Sequence, residues 1–433
     1  MIRIIERTDR SALDCFVSLL RERSVVFDSA LLSDVSSIIE DVRRRGDEAL
    51  VKYAARFDKV DLDISELRVC VDVLRQVAEK VNPTVLSALR KAIENVRTFH
   101  ERQREQSWSL TQKNGVQLGQ RITPIESVGL YVPGGTAAYP SSVVMNVVPA
   151  QVAGVSRIVV TTPPQTIRDN PAVAAALVEL GVEEVYQIGG AQAIAALAFG
   201  TKSIVSVDKV TGPGNKYVAA AKKLVFGVVG IDSIAGPSEV VIVADKTARA
   251  DFVAADLLAQ AEHGEDASAV LITTSDVLAN AVVSELERQS ATLPRRSIVE
   301  QSIANYGAVL KVDDLATACE IVNELAPEHL ELLVEDTDAL MPQIKNAGAI
   351  FIGPYSPEAV GDYFAGPNHV LPTGRTARFS SALGVYDFVK RTSVIEYSKT
   401  EMESASDMIA ALAQAEGLDA HARSANIRKT TDD

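Results

Sequence analysis

Residues 157–199 read RIVVTTPPQTIRDNPAVAAALVELGVEEVYQIGGAQAIAALAF, and the way this stretch divides decides the fold class. Ile158-Val159-Val160 is a short β-branched run, Ala172 to Leu180 is alanine-rich and helical, Glu184 to Ile188 repeats the strand pattern, and Ala191 to Phe199 repeats the helical one. Short, continuously apolar strands alternating with helices signal parallel strands joined by helical crossovers.

Toward the C-terminus the alternation recurs, with strands predicted at Glu239 to Ala244, Ala269 to Thr273, Gly307 to Val312 and Ala349 to Ile352. The class is α/β, with two Rossmann-like lobes built on parallel sheets. The first hundred residues read mostly as helix, with amphipathic runs from Ala30 to Phe57 and from Asn82 past His100 that brace the lobes. After Gly384 no strand is predicted; the last fifty residues read as a helical tail broken at Gly417, and its apolar face must dock on a body, its own or a neighbour's. The expected divisions are a helical segment 1–25, one lobe from 26–106 with 239–383, a second lobe 107–238, and the tail 384–433.

A chain of 433 residues with 47% apolar content exceeds what one core organises and is not disordered. Its formal charge of −14 repels phosphate backbones and anionic lipid, which argues against nucleic-acid and membrane-surface partners. The thirty positions between Glu126 and Arg157 carry no charge, yet Pro133, Pro140 and Pro149 would strand backbone groups in lipid, so a buried loop and helix beneath a site is expected. Cys15, Cys70 and Cys319 lie far apart and form no disulfide framework, and charged residues interrupt the N-terminus where a signal peptide needs an apolar core. A cytoplasmic protein is expected.

Histidine is scarce, five in all, and four of them, His263, His329, His369 and His421, stand beside carboxylates or amides. Gln260 and His263 are three apart at the end of a helix predicted from Asp251 to His263, whose C-terminal partial charge favours a cation. The pair either opens a metal site or is a polar helix end in water. Pro327 suits a helix start, which would put Glu328 and His329 in a first turn, where the dipole holds the imidazole neutral and able to take a proton. An exposed helix start is the alternative. The proline-rich loop 353–374 carries Asp362, a candidate oxygen ligand, and His369. Glycines at Gly189-Gly190 and at Gly212-Pro213-Gly214-Asn215 open loops ahead of helices whose free N–H groups suit an anion, though neither is a GxGxxG.

Taken together, Gly129-Leu130-Tyr131-Val132-Pro133-Gly134-Gly135, Gly189-Gly190-Ala191-Gln192-Ala193, Thr211-Gly212-Pro213-Gly214-Asn215, Ala235-Gly236-Pro237-Ser238-Glu239, Gln260-Ala261-Glu262-His263, Ala326-Pro327-Glu328-His329, Gly366-Pro367-Asn368-His369 and Ala415-Glu416-Gly417-Leu418-Asp419-Ala420-His421 resemble, in order, the histidinol dehydrogenases. The resemblance implies zinc held by Gln260, His263, Asp362 and His421, the last donated by the partner subunit of a homodimer. It implies that Ser238, His369 and Glu416 contact substrate together with the zinc ligands and His329, and that Tyr131, Gln192 and Asn215 contact NAD. It further implies that L-histidinol is oxidised to L-histidine through a retained aldehyde with two NAD, the closing steps of histidine biosynthesis, with His329 as base and Glu328 activating water. Gly264, where many relatives are acidic, and Ser233 depart from the pattern without touching a proposed ligand. Another small-alcohol dehydrogenase of the superfamily, a zinc hydrolase using Glu328, and a noncatalytic zinc scaffold are the competing readings.

Overall fold

The computed structural model describes residues 2–23, 27–134 and 139–429, so Gly135 of the first glycine motif lies outside the described residues. The strands are β1 (Arg3–Ile5), β2 (Trp108–Thr111), β3 (Gln117–Pro124), β4 (Ser127–Tyr131), β5 (Arg157–Thr161), β6 (Glu184–Tyr186), β7 (Lys209–Thr211), β8 (Gly230–Ile231), β9 (Glu239–Ala244), β10 (Ser268–Thr273), β11 (Ala308–Lys311), β12 (His329–Leu333), β13 (Ala349–Ile352) and β14 (Val389–Glu396). They divide between two compact units, one comprising Met1–Gln103 with Glu126–Asp387 and the other Arg104–Ile125 with Phe388–Asp433.

The first unit holds two parallel sheets. One is ordered β6-β5-β4-β7-β8 and the other β1-β11-β10-β9-β12-β13. Leaving β1 aside, each follows the Rossmann order, in which the chain builds outward from one strand, then returns to that strand's other side. β1 extends the larger sheet beside β11.

Both faces of the larger sheet are covered, which is why its strands read as unbroken apolar runs. Val241, Val243, Val270, Ile272, Leu310, Leu330 and Leu332 fill one face. Val240, Ile242, Leu271, Val309 and Leu333 fill the other, against Val253, Ala254, Leu257 and Leu258 of the helix Ala250–Ala261. Each such side chain contributes about 1.5–3 kcal/mol when buried. In the smaller sheet, Val159 and Val210 pack with Ile194, Leu197, Val218 and Val225. Val35, Ile38, Ile39 and Val42, from the helix Ser29–Arg45, join this same core. Part of the segment 26–106 thus braces the β6-β5-β4-β7-β8 sheet, where the sequence grouped it with 239–383.

Two expectations are corrected. Pro327-Glu328-His329 does not begin a helix: Ala326 takes a left-handed conformation (φ 46°) that ends the preceding helix, and the N–H groups of Gly348 and Ala349 donate to the carbonyls of Pro327 and Glu328 at 2.9 Å. Those ladder bonds draw the segment into β12, paired with β9 and β13. Strands also do not stop at Gly384, because β14 follows. In the second unit β14 pairs antiparallel with β3, from Val389↔Pro124 to Glu396↔Gln117, and β2 flanks β3. The helices Lys399–Ala415 and Asp419–Asn426 complete that unit and share a small core of Ala410, Ala413 and Ala422. Among the described residues no helix is long and apolar enough to cross a membrane.

Candidate active site

Strand alternation sets the orientation of the first group of residues. Leu330 and Leu332 point to one face of the larger sheet, so His329, Glu331 and Leu333 point to the other, beneath the helix Ala250–Ala261. That helix carries Gln260 in its last turn, with His263 two residues past its end. The helix Glu358–Tyr363 brings Glu358 and Asp362 to the same place. The site therefore lies at the amino-terminal ends of β9 and β12.

His329 is 4% exposed. Its Nδ1 lies 3.2 Å from the Glu239 carbonyl oxygen. A carbonyl can only accept, so Nδ1 carries the proton and Nε2 keeps its lone pair. Nε2 is buried without a hydrogen-bond partner and sits 3.9 Å from Asp362 Oδ1. Burial lowers the imidazole pKa to about 4, so the ring is neutral near pH 7. Desolvation, where the sequence suggested a helix dipole, keeps it uncharged.

Carboxylates surround this ring. Glu328 Oε2 lies 3.7 Å and Glu358 Oε1 3.8 Å from Nδ1. Burial raises both acids well above the usual carboxylate range, with Glu239 adding to the effect on Glu328 and Asp362 to that on Glu358. Glu328 also accepts the Glu239 N–H at 3.0 Å, and Glu239 pairs with Arg23 at 3.1 Å. Gln260 is fully buried, with one terminal atom of its amide 3.0 Å from Glu358 and 3.2 Å from His329 Nδ1.

Several of these groups suit a cation. His263 donates Nδ1–H to the Ala259 carbonyl at 3.0 Å, which leaves Nε2 as the ligand atom, 4.0 Å from Asp362 Oδ2. His263, Glu358 and Asp362 offer ligand atoms within 4.8 Å of one another. An imidazole nitrogen and carboxyl oxygens fit a divalent metal such as zinc, and a cation there would offset the burial that otherwise favours the protonated form of Glu358. His369 is close by, its Nδ1 donating to the Asp362 carbonyl at 3.1 Å. Ser238 immediately precedes β9. Glu416 and His421 belong to the second unit, where both are exposed.

Tyr131, Gln192 and Asn215 meet at the smaller sheet instead, at the carboxyl ends of its strands. They line a cavity of about 940 Å³ together with Asp58, Pro163 and Gln165. Tyr131 ends β4, and its hydroxyl accepts the Gly190 N–H at 3.1 Å. Gln192 stands in the first turn of the helix Gly190–Phe199, and Asn215 caps the helix Lys216–Val225 by accepting from Tyr217 and Val218. Gly190 and Gln192 at one helix start and Asn215 and Tyr217 at the other line this cavity, at the crevice where open α/β sheets bind ligands.

The histidinol dehydrogenase family profile matches residues 21–429. The chain belongs to the histidinol dehydrogenase family. It is 56% identical over 395 residues to the histidinol dehydrogenase of Geobacillus kaustophilus, covering 91% of this chain and 93% of that one. With the enzyme so named from Caldanaerobacter subterraneus subsp. tengcongensis it shares 48% over 428 residues, 99% of each chain. The crystal structure of histidinol dehydrogenase from Elizabethkingia anophelis superposes with a TM-score of 0.92 at 35% identity, covering 99% of this chain and 98% of that one.

The family resemblance did not single out Glu239, Arg23 or Glu358. A signal existed for the last of these, since Glu358 stands four residues before Asp362 and helical spacing puts both on one face. Glu239 closed the motif Ala235–Glu239 with no role attached, and Arg23 carried no signal; the pairing of β9 with β12 sets Glu239 beside Glu328, and Arg23 reaches Glu239 from the end of the helix Arg10–Glu22.

Proposed function

We propose that the protein is an NAD- and zinc-dependent L-histidinol dehydrogenase, which carries the alcohol through its aldehyde to L-histidine. The observation that carries this reading is the buried, neutral His329 with an unpartnered Nε2 aimed at the Asp362 and His263 side. A general base needs that combination: a lone pair available near pH 7 and no competing partner.

Gln260, His263 and Asp362 would hold the zinc, with His421 supplied by a second copy of the chain, and Glu358 is a further oxygen donor within reach. Bound zinc supplies a fixed point for the nitrogens of the substrate, and bound NAD supplies the hydride acceptor. Everything else falls to side chains. His329 Nε2 takes the hydroxyl proton in the first oxidation, while its Nδ1–H bond to Glu239 fixes the ring. Glu328 takes a proton from water as that water adds to the aldehyde, and His329 takes the proton of the hydrate in the second oxidation. Ser238 and His369 orient the substrate from the rim, and Glu416 does so from the tail. Tyr131, Gln192 and Asn215 bind the nicotinamide cofactor in the cavity above the smaller sheet.

A cytoplasmic homodimer with shared sites accords with two features. Cys15, Cys70 and Cys319 are all free thiols, as a reducing compartment allows. The helix Lys399–Ala415 leaves Met408 and Leu412 exposed at 65% and 71%, as a tail that docks on a partner requires.

The test is to follow nicotinamide reduction at 340 nm on mixing zinc-loaded protein, NAD and limiting L-histidinol, and to count equivalents at completion. Two reduced cofactors per alcohol are expected. One would indicate an ordinary alcohol dehydrogenase, and none would reject the assignment.

A further inference from the structure

The loop that presents Asn215 is held by an ion pair with no role in the scheme above. Lys222 and Asp232 form a salt bridge with side chains only 2% and 4% exposed. Both reach the same residue. Asp232 Oδ2 accepts the Gly212 N–H at 2.8 Å, and Lys222 Nζ donates to the Gly212 carbonyl at 3.0 Å. Gly212 has φ 113°, and a Cβ there would lie 2.2 Å from the Tyr131 carbonyl oxygen. The pair therefore pins, from both sides, the backbone that lies against Tyr131 and runs on through Pro213 and Gly214 to Asn215.

A buried ion pair contributes little net stability compared with an apolar pair of similar size, since desolvation offsets the attraction. What it adds here is geometry. Lys222 comes from the helix that Asn215 caps, and Asp232 follows β8, so the pair ties helix, strand and loop to one peptide. We infer that Lys222 and Asp232 are positioning residues for the dinucleotide cofactor, holding Asn215 and Tyr131 at the spacing the cavity needs while touching no reacting atom. This rests on reading that cavity as the NAD site.

The test uses the full-length, zinc-loaded protein with three readouts: NADH affinity by nicotinamide fluorescence, KM for L-histidinol, and amide hydrogen exchange across 212–215. Lys222→Met alone would leave a buried carboxylate unpaired and could unfold the chain, so the principal variant is Lys222→Met with Asp232→Leu, which removes both charges together. It is expected to fold, to bind NADH at least about ten-fold more weakly, to exchange the Gly212 amide faster, and to keep its KM for histidinol within about two-fold. Lys222→Met with Asp232→Asn also removes both charges but retains an oxygen to accept the Gly212 N–H, and should hold NADH affinity within about three-fold of the parent. If the folded variant carrying Lys222→Met with Asp232→Leu binds NADH as the parent does, or if Lys222→Met with Asp232→Asn loses as much as Lys222→Met with Asp232→Leu, the inference is overturned while the cofactor site stands. A parent that binds no NADH removes both the cavity's assignment and the inference built on it.

Discussion

His329 Nδ1 donates to the main-chain oxygen of Glu239 across 3.2 Å, and this contact between β12 and β9 decides which ring nitrogen can act as a base. It fixes the proton on Nδ1 and leaves Nε2 bare, on the side of Asp362. Glu328, whose carboxylate accepts the Glu239 N–H, is held by the same residue. One backbone position therefore organises both groups assigned to proton transfer.

Separate roles for these groups predict separable defects. Glu328→Gln should leave oxidation of histidinol to the aldehyde nearly intact and slow the aldehyde-to-acid half, because only that half requires activated water. His329→Ala should slow both, by about 10²–10⁴-fold, the usual contribution of a general base. Single-turnover reduction of NAD from histidinol and from histidinal measures the halves individually. Equal losses in both for the Glu328 variant would reject its assignment.

The depressed pKa of His329 also predicts an acid-linked loss of stability. Unfolded, an imidazole takes up a proton near its ordinary value of 6.5, whereas the folded chain refuses it until about 4. Stability present above 6.5 is therefore lost as pH falls toward 4, where it levels off. Between about pH 7 and pH 5 the loss attributable to this residue is about 2 kcal/mol. Urea unfolding of the zinc-free parent and of His329→Asn across that range should show the extra slope in the parent only; parallel curves would contradict it.

Much of this was legible in the sequence, and what was not has identifiable causes. β9, β10 and β13 stood out because Glu239–Ala244, Ser268–Thr273 and Ala349–Ile352 are dominated by apolar residues, buried throughout in β9 and β10 and part-buried in most of the edge strand β13. β12 hid because His329 and Glu331 put polar groups at inward positions and Pro327 mimicked a helix start. β14 hid because every residue after Val389 is exposed, so no apolar period marks it. Gln260, His263 and Asp362 were named from residue type and family likeness, and the fold brings all three to the His329 side of the sheet. Arg23, some two hundred residues from Glu239 in sequence, could be linked to it only through tertiary structure.

Metal binding separates the amide from the acid at the site. His263→Ala and Asp362→Ala should each weaken zinc binding on the order of ten-fold or more, and Gln260→Ala should do likewise if its oxygen is a ligand. Glu358→Gln discriminates: a loss as large as that of Asp362→Ala makes Glu358 a ligand, and a small one makes it the group that orients the Gln260 amide. Bound zinc by atomic absorption after dialysis against a competing chelator gives the comparison. Cooperative unfolding should survive in every variant, because two sheets with their own cores do not depend on one metal. Unfolded zinc-free protein would contradict this.

The last prediction concerns where His421 acts. It lies in the second unit, on the short helix Asp419–Asn426, where it is exposed. If tails serve the partner's site, two inactive variants can repair each other. His263→Ala and His421→Ala proteins, unfolded, mixed equally and refolded, give about half mixed dimers under random pairing. Acting in trans, the intact tail of the His263 variant meets the intact His263 of the other subunit, so each mixed dimer has one whole site and one doubly defective one. About a quarter of all sites should then recover activity. Acting in cis, every site keeps one lesion and the mixture stays inactive. Native mass spectrometry verifies that mixed dimers have formed, so an inactive mixture containing them would assign each His421 to its own chain.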